Sequence, residues 1–181
     1  MLVAWPPGTR ISVVASWLQR RLRPALPPNL SCLAALLALA ALSACAAPPP
    51  PIPPTVLKLK IVASADVNAT QAGQGAPVLL RIYQLGSAAA FEKAEFFRLN
   101  SADTATLGAD IVKKDEYLIV PGATKEETLT LPDNVKAVGF FAAYREFQKA
   151  TWRATVAPEA HKTTAVAVTV NASGLSAAPA P

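Results

Sequence analysis

Few side chains in this sequence could do chemistry at a fixed place, and Cys45 is the foremost. It ends the apolar run Leu33–Ala44 and stands directly before the proline block AAPPPPIPPT. A thiol can form a disulfide, ligate a metal or carry a covalent group. The other cysteine, Cys32, lies in the wider apolar N-terminal stretch, so removal of that stretch leaves one cysteine and no internal disulfide. No CxxC and no Cys/His cluster accompanies it, which leaves a covalent modification or, in an ordinary signal peptide, a chance cysteine. The single histidine, His161, sits beside Pro158-Glu159 in an apparent turn and reads as a solvated loop residue. Without a second candidate base, neither Ser-His-Asp nor Cys-His catalysis can be assembled. The carboxylate pairs Asp115-Glu116 and Glu126-Glu127 are adjacent, so on a strand they point to opposite faces and form no acid/base dyad. The sequence has no phosphate loop, zinc spacing or calcium loop. The expectation is a protein that is not an enzyme, with no cofactor, metal or small-molecule substrate. Asn68-Ala69-Thr70 and Asn171-Ala172-Ser173 match glycosylation sequons by chance.

Around Cys45 the sequence reads as a sorting device. Arg20, Arg21 and Arg23 form a positive patch, the short Leu/Ala core follows, and small residues precede the cysteine. The core is too short to span a bilayer, which takes roughly twenty apolar residues. Residues 1–44 therefore read as a secretory signal. The stretch before Arg20 is long for such a signal, which would fit a true start further downstream. Leu42-Ser43-Ala44-Cys45 resembles the bacterial lipobox, in which the thiol receives a diacylglycerol, the chain is cut before the cysteine and the new amine is acylated. A single acyl chain binds a bilayer marginally, whereas two or more anchor it stably. Ala46, in place of an aspartate, points to the outer membrane. Residues 45–55 then form a linker whose consecutive prolines favour an extended, semi-rigid spacer.

The formal net charge of +5 suggests nucleic acid only until it is located. Four of the 17 basic residues precede Cys45 and no acid does, so 13 basic residues face 12 acids in the remainder. Lys58, Lys60, Lys113 and Lys114 are scattered. Nucleic-acid binding needs a concentrated basic face, and none is expected here.

From Val56 the texture is that of strands. VLKLKIVAS alternates with period two, VLLRIYQL, EYLIV and EETLTLP follow, and KAVGFFAAY is apolar on both faces as a central strand would be. ATWRATVA and TTAVAVTVNAS complete an all-β, two-layer β-sandwich over residues 56–175, with residues 176–181 as a flexible tail. One interruption is helical: Ser87 can cap AAAFEKAEFFRL, with Phe91, Ala94 and Phe97 near one face as core packing. SADTATLGAD adds a helical turn. Tyr83, Tyr144 and Trp152, with Arg81, Arg145 and Arg153 nearby, suit either packing or an interface. A stacking platform of these aromatics would make the chain a periplasmic carbohydrate- or peptidoglycan-binding lipoprotein. That alternative requires them exposed. A weaker alternative is a lipid-anchored inhibitor of a periplasmic enzyme, acting through a protruding loop.

LKIVASADVN, the short Gly-containing loop, PVLLRIYQLGSAAAFEKAEFFRL, LGADIVKKDEYLIVPG, VGFFAAYRE and ATWRATV together resemble the TssJ-type lipoproteins of the bacterial type VI secretion system, in matching order over roughly 57–171. The resemblance implies an antiparallel sandwich of transthyretin-like topology with a helical insertion after the second strand. It implies an outer-membrane lipoprotein, anchored to outer-membrane lipids at Cys45, that faces the periplasm. Its implied partner is the periplasmic part of an inner-membrane TssM-like protein, in one assembly with a TssL-like protein. The loop implied to meet that partner is Asn68, Ala69, Thr70, Gln71, Ala72, Gly73, Gln74, Gly75, Ala76 and Pro77. Its glutamines offer hydrogen bonds, and Gly73 and Gly75 are expected to leave it mobile.

Overall fold

The alternation in TVLKLKIVA builds strand β1, Thr55–Ala63. Leu57, Leu59, Ile61 and Ala63 point inward and are buried, while Lys58, Lys60 and Val62 face solvent. In this computed structural model, which describes residues 49–180, β1 is central in a four-stranded sheet. It pairs antiparallel with β4, Thr124–Leu131, and parallel with β7, Thr163–Asn171. Beyond β7 lies β8, Gly174–Pro179, antiparallel. The second sheet is wholly antiparallel in the order β3 (Ile111–Ile119), β2 (Val78–Leu85), β5 (Ala137–Ala142), β6 (Arg153–Val156). Between the sheets Leu57, Leu59 and Ile61 meet Leu80, Ile82, Val138 and Phe140. Each such fully buried side chain stabilises the fold by about 1.5–3 kcal/mol.

The second sheet is buried on its outer face as well. Between β2 and β3 the chain makes two helices, α1 (Ala89–Lys93) and α2 (Phe96–Leu107), and a 3-10 turn, Gly108–Asp110. Phe91, Phe96, Leu99 and Leu107 descend from them onto Tyr83, Leu85, Ala137 and Phe141. This explains why β5 is apolar on both faces. Gly139 makes room for the insertion: a Cβ there would lie 3.0 Å from the Phe91 ring.

The expected two-layer sandwich with a helix after the second strand is the observed fold. Three details differ. The insertion is broken at Ala94 and Glu95, both extended (ψ 141° and 151°). The break turns Phe96 inward and leaves Phe97 62% exposed, so Phe97 does not join Phe91 in the core. The residue at the N-cap position of α1 is Ala88, and Ser87 acts one position earlier, its hydroxyl accepting the Ala89 N–H at 3.3 Å. Most of the tail expected from residue 176 is the second half of β8. Its start is fixed by Asn171, whose Oδ1 accepts the Ser173 and Gly174 N–H groups at 3.0 and 2.9 Å. The signal segment and Cys45 lie outside the described residues; Pro49–Pro54 are exposed and carry no helix or strand.

Candidate functional site

The strand directions sort the connections onto two ends of the sandwich. One end holds the segments 64–77, 120–123, 143–152 and the two-residue turn 172–173. At the other end the linker enters β1, beside segments 132–136 and 157–162. A nine-residue strand is about 30 Å long at about 3.3 Å per residue, so β1 itself separates the linker from the expected loop. His161 lies at the linker end and is not merely a solvated loop residue. Its backbone N–H donates to Thr55 Oγ1 at 2.8 Å, and its Nδ1 lies 3.0 Å from the Pro53 carbonyl oxygen.

The loop Asn68–Pro77 is a closed structure. Asn68, buried and at φ 49°, donates from Nδ2 to the Pro77 carbonyl at 2.9 Å and accepts the Arg145 N–H at 2.9 Å. Below the apex, the Ala76 N–H donates to the Val67 carbonyl at 2.9 Å; within it, the Thr70 N–H donates to the Gln74 carbonyl at 2.7 Å. Gly75 is required by close approach, since a Cβ would fall 2.1 Å from the Ala65 carbonyl oxygen. Gly73, at φ +76°, turns the apex. The two glycines thus serve a defined turn, where a mobile loop was expected. Of the ten residues, Asn68 and Ala76 are buried, Ala69, Thr70 and Gly75 half-buried, and Gln71, Ala72, Gly73, Gln74 and Pro77 exposed. Contact with a partner is therefore possible chiefly at the uncharged apex Gln71–Gln74. The neighbouring connections are tied to the segment 64–77: Gly122 N–H donates to the Ser64 carbonyl at 3.1 Å, and Arg145 to Asn68 as above.

The aromatic side chains make no platform. Tyr83 and Tyr144 are 0% and 4% exposed, and half-buried Trp152 stands edge-on to Phe96 and Phe141 at 5.3 and 5.8 Å. The carbohydrate-stacking alternative fails on this burial. The Tyr144 hydroxyl donates to the Asn171 carbonyl at 2.9 Å, and burial pushes its ionisation up. The Tyr83 hydroxyl donates to Asp103 Oδ2 at 2.8 Å; burial, then the Asp103 contact, push that phenol up too. Tyr117 is raised to about 12 by burial and by Glu127.

Asp103 is the centre of a charged group that sequence spacing did not single out. Lys114 Nζ reaches it at 3.0 Å and Glu116 at 3.3 Å. Arg81 Nε stands 2.9 Å from Glu116 as an ion contact off the line of a hydrogen bond. Arg81 also donates to the Leu99 and Asn100 carbonyls at 2.9 and 3.0 Å. Burial alone would raise the Asp103 carboxyl, but hydrogen bonds from Lys114 and Tyr83 outweigh it and hold the group below the usual carboxylate range. The same bond to Asp103 raises Lys114. Each charge has its partner inside the group, so this is a clamp binding α2 to β2 and β3. The available signal was alternation: Arg81 and Tyr83 face the same way on β2, as do Lys114 and Glu116 on β3. Among the described residues no group of three His, Cys, Asp or Glu side chains could hold a metal, and no helix is long and apolar enough to cross a membrane.

Comparison with known proteins agrees with this architecture. Residues 55–173 match the family model described as "Type VI secretion lipoprotein, VasD, EvfM, TssJ, VC_A0113". The crystal structure of the T6SS lipoprotein TssJ1 from Pseudomonas aeruginosa is 35% identical, over 71% of this chain and 98% of that chain, with a TM-score of 0.69. Serratia marcescens Lip, a membrane-bound component of the type VI secretion system, is 26% identical over 71% of this chain and 97% of that chain, TM-score 0.63. A chain in the structure of the T6SS protein TssM C-terminal domain (869-1107) from EAEC is 26% identical over 70% of this chain and 99% of that chain, TM-score 0.56. No curated protein matches. The family is one of secretion lipoproteins, not of enzymes. With sandwich, helical insertion and most of the described sequence in agreement, the chain belongs to the TssJ family of type VI secretion lipoproteins, with a role in that system's membrane complex.

Proposed function

We propose that this protein is an outer-membrane lipoprotein, acylated at Cys45, that faces the periplasm and binds the periplasmic part of an inner-membrane TssM-like protein. A TssL-like protein belongs to the same assembly. The observation that carries this reading is the opposition of the two ends. The linker that follows Cys45 joins β1 at one end, and the Gln71–Gln74 apex stands at the other. A sandwich tethered through Pro49–Pro54 can therefore turn its loop-bearing end away from the bilayer. The structures it resembles support the rest: a membrane-bound lipoprotein in one case, and in another a chain in the structure of a TssM C-terminal domain. Nothing in this role needs catalysis. Acyl chains hold one end, buried cores keep the body rigid, and a polar, uncharged apex is offered to the partner. Several copies around one channel would add their anchoring through multivalency.

The test pairs two variants. Cys45→Ser is expected to leave the domain folded by circular dichroism and to move it from the pelleted outer-membrane fraction to the soluble one. A variant with Gln71–Gln74 replaced by a two-residue turn is expected to stay folded and to recover much less TssM-like protein on pull-down from solubilised membranes. A Cys45→Ser protein that still pellets would put the anchor elsewhere, and undiminished capture by the loop variant would remove the loop from the interface.

A further inference from the structure

The exposed large apolar side chains of the described sandwich are Val62, Phe97, Leu118 and Val120, and each lies toward the loop-bearing end. Two of them flank one strip of surface. On the outer face of the second sheet, α2 covers the level of Arg81, whose guanidinium reaches the Leu99 and Asn100 carbonyls. The next outward-facing position toward the loop end is Leu79, half-buried and directly opposite Leu118, which is 68% exposed. On its other side Leu79 accepts the Ala143 N–H at 2.9 Å. Ala143 leads into the segment that carries Phe147, which is stacked on Phe96 at 4.4 Å and meets Phe97 edge-on at 5.0 Å. An apolar shelf thus runs beside α2 from Leu118 to Phe97.

We infer that this shelf is a second contact surface for the TssM-like partner, and that it receives an apolar segment of that chain presenting aliphatic or aromatic side chains. The inference rests on the proposed function and extends it from the loop to the helical insertion. Three observations favour this occupant. The shelf is continuous with the candidate loop, because the segment bearing Phe147 also donates the Arg145 N–H to Asn68. Phe97 is held by two other rings, so binding costs it little side-chain freedom; rigid aromatic anchors of this kind dominate interface energetics. The residues that form the strip, Leu79, Phe97, Leu118, Ala143 and Phe147, are uncharged, as the core of an interface requires. Arg81 and Glu116, next along the sheet, are paired with each other, and Arg145 and Glu146 stand exposed in the segment that bears Phe147.

The test compares the detergent-extracted mature protein, a Phe97→Ser/Leu118→Thr double variant and the loop variant above, each titrated with the periplasmic part of the TssM-like partner by biolayer interferometry. Both shelf residues are exposed, so the double variant should melt within a few degrees of the parent. Its affinity is expected to fall at least about tenfold. Unchanged affinity in the double variant, with the loop variant weakened, overturns the shelf and leaves the proposed function standing. Absence of binding by the parent overturns both. Sedimentation in which the parent self-associates and the double variant does not would assign the shelf to a second copy and overturn the inference as well.

Discussion

Asp103 belongs to a helix but is held by strands. Its carboxylate takes the Tyr83 hydroxyl and the Lys114 ammonium, so two strands fasten the helical insertion at this residue. The sign of the pH dependence follows. The depressed Asp103 contributes stability that is full above the unfolded value of about 3.9 and is lost as pH falls through the lower native value. The raised Lys114 contributes stability that is full below about 10.4 and is lost as pH rises through its native value. Urea midpoints should therefore be flat through neutrality and fall at both extremes, and Asp103→Asn should flatten the acid limb. Tyr83→Phe should cost about 1–2 kcal/mol in the same titration. None of this group stood out in the sequence. Asp103 reads there as one loose carboxylate among several, because its partners lie 11 and 20 residues away and meet it only after α2 has packed. Asn68 was legible only as a loop residue. Its actual work, holding Pro77 and reaching Arg145, 77 residues away, is non-local.

Strands announce themselves more openly than the helices. In β1 and β4 one face is wet, and alternation alone identifies Leu57, Leu59, Ile61, Leu129 and Leu131 as core. The break between α1 and α2 is not written locally, since Ala94 and Glu95 are good helix formers. It is supported from β6: Arg153 donates to the Phe91 and Ala94 carbonyls at 3.2 and 2.6 Å, replacing partners that a continuous helix would have provided. The sandwich overrides propensity there and exposes Phe97 as a result. β8 escaped notice for a compositional reason, because GLSAAP resembles a tail; only Leu175 is apolar and large, and it is buried. Gly139 is a close approach between insertion and sheet. Gly139→Val would push Phe91 off Tyr83 and is expected to lower stability by about 1–3 kcal/mol, read from urea unfolding.

At the scale of the molecule, the two ends of the sandwich differ in kind. The linker end is fastened by His161 and Thr55, and the loop end gathers the exposed large apolar side chains of the sandwich itself. β8 closes the first sheet between them. A chain ending at Ser173 would lose Leu175 from the core and leave β7 as a bare edge; it should unfold at least about 2 kcal/mol more easily, checked by its urea midpoint, and aggregate more readily. The fold class was readable because the pattern of wet and dry faces recurs in strand after strand. The opposition of linker and loop was readable in outline once β1 was recognised as one unbroken run between them. The shelf was not, since it depends on where α2 stops covering the sheet. The placement of β1 has one further result. It is flanked by β4 on one side and by β7, running parallel, on the other, and the linker continues from its first residue. Traction on the linker, resisted at the far end, would act along the strand axis. Both rows of backbone bonds would then have to shear together, where a hairpin at a sheet margin would unzip one bond at a time. In the proposed function, a sandwich held at its linker and at its loop would carry its load on the strand best placed to bear it.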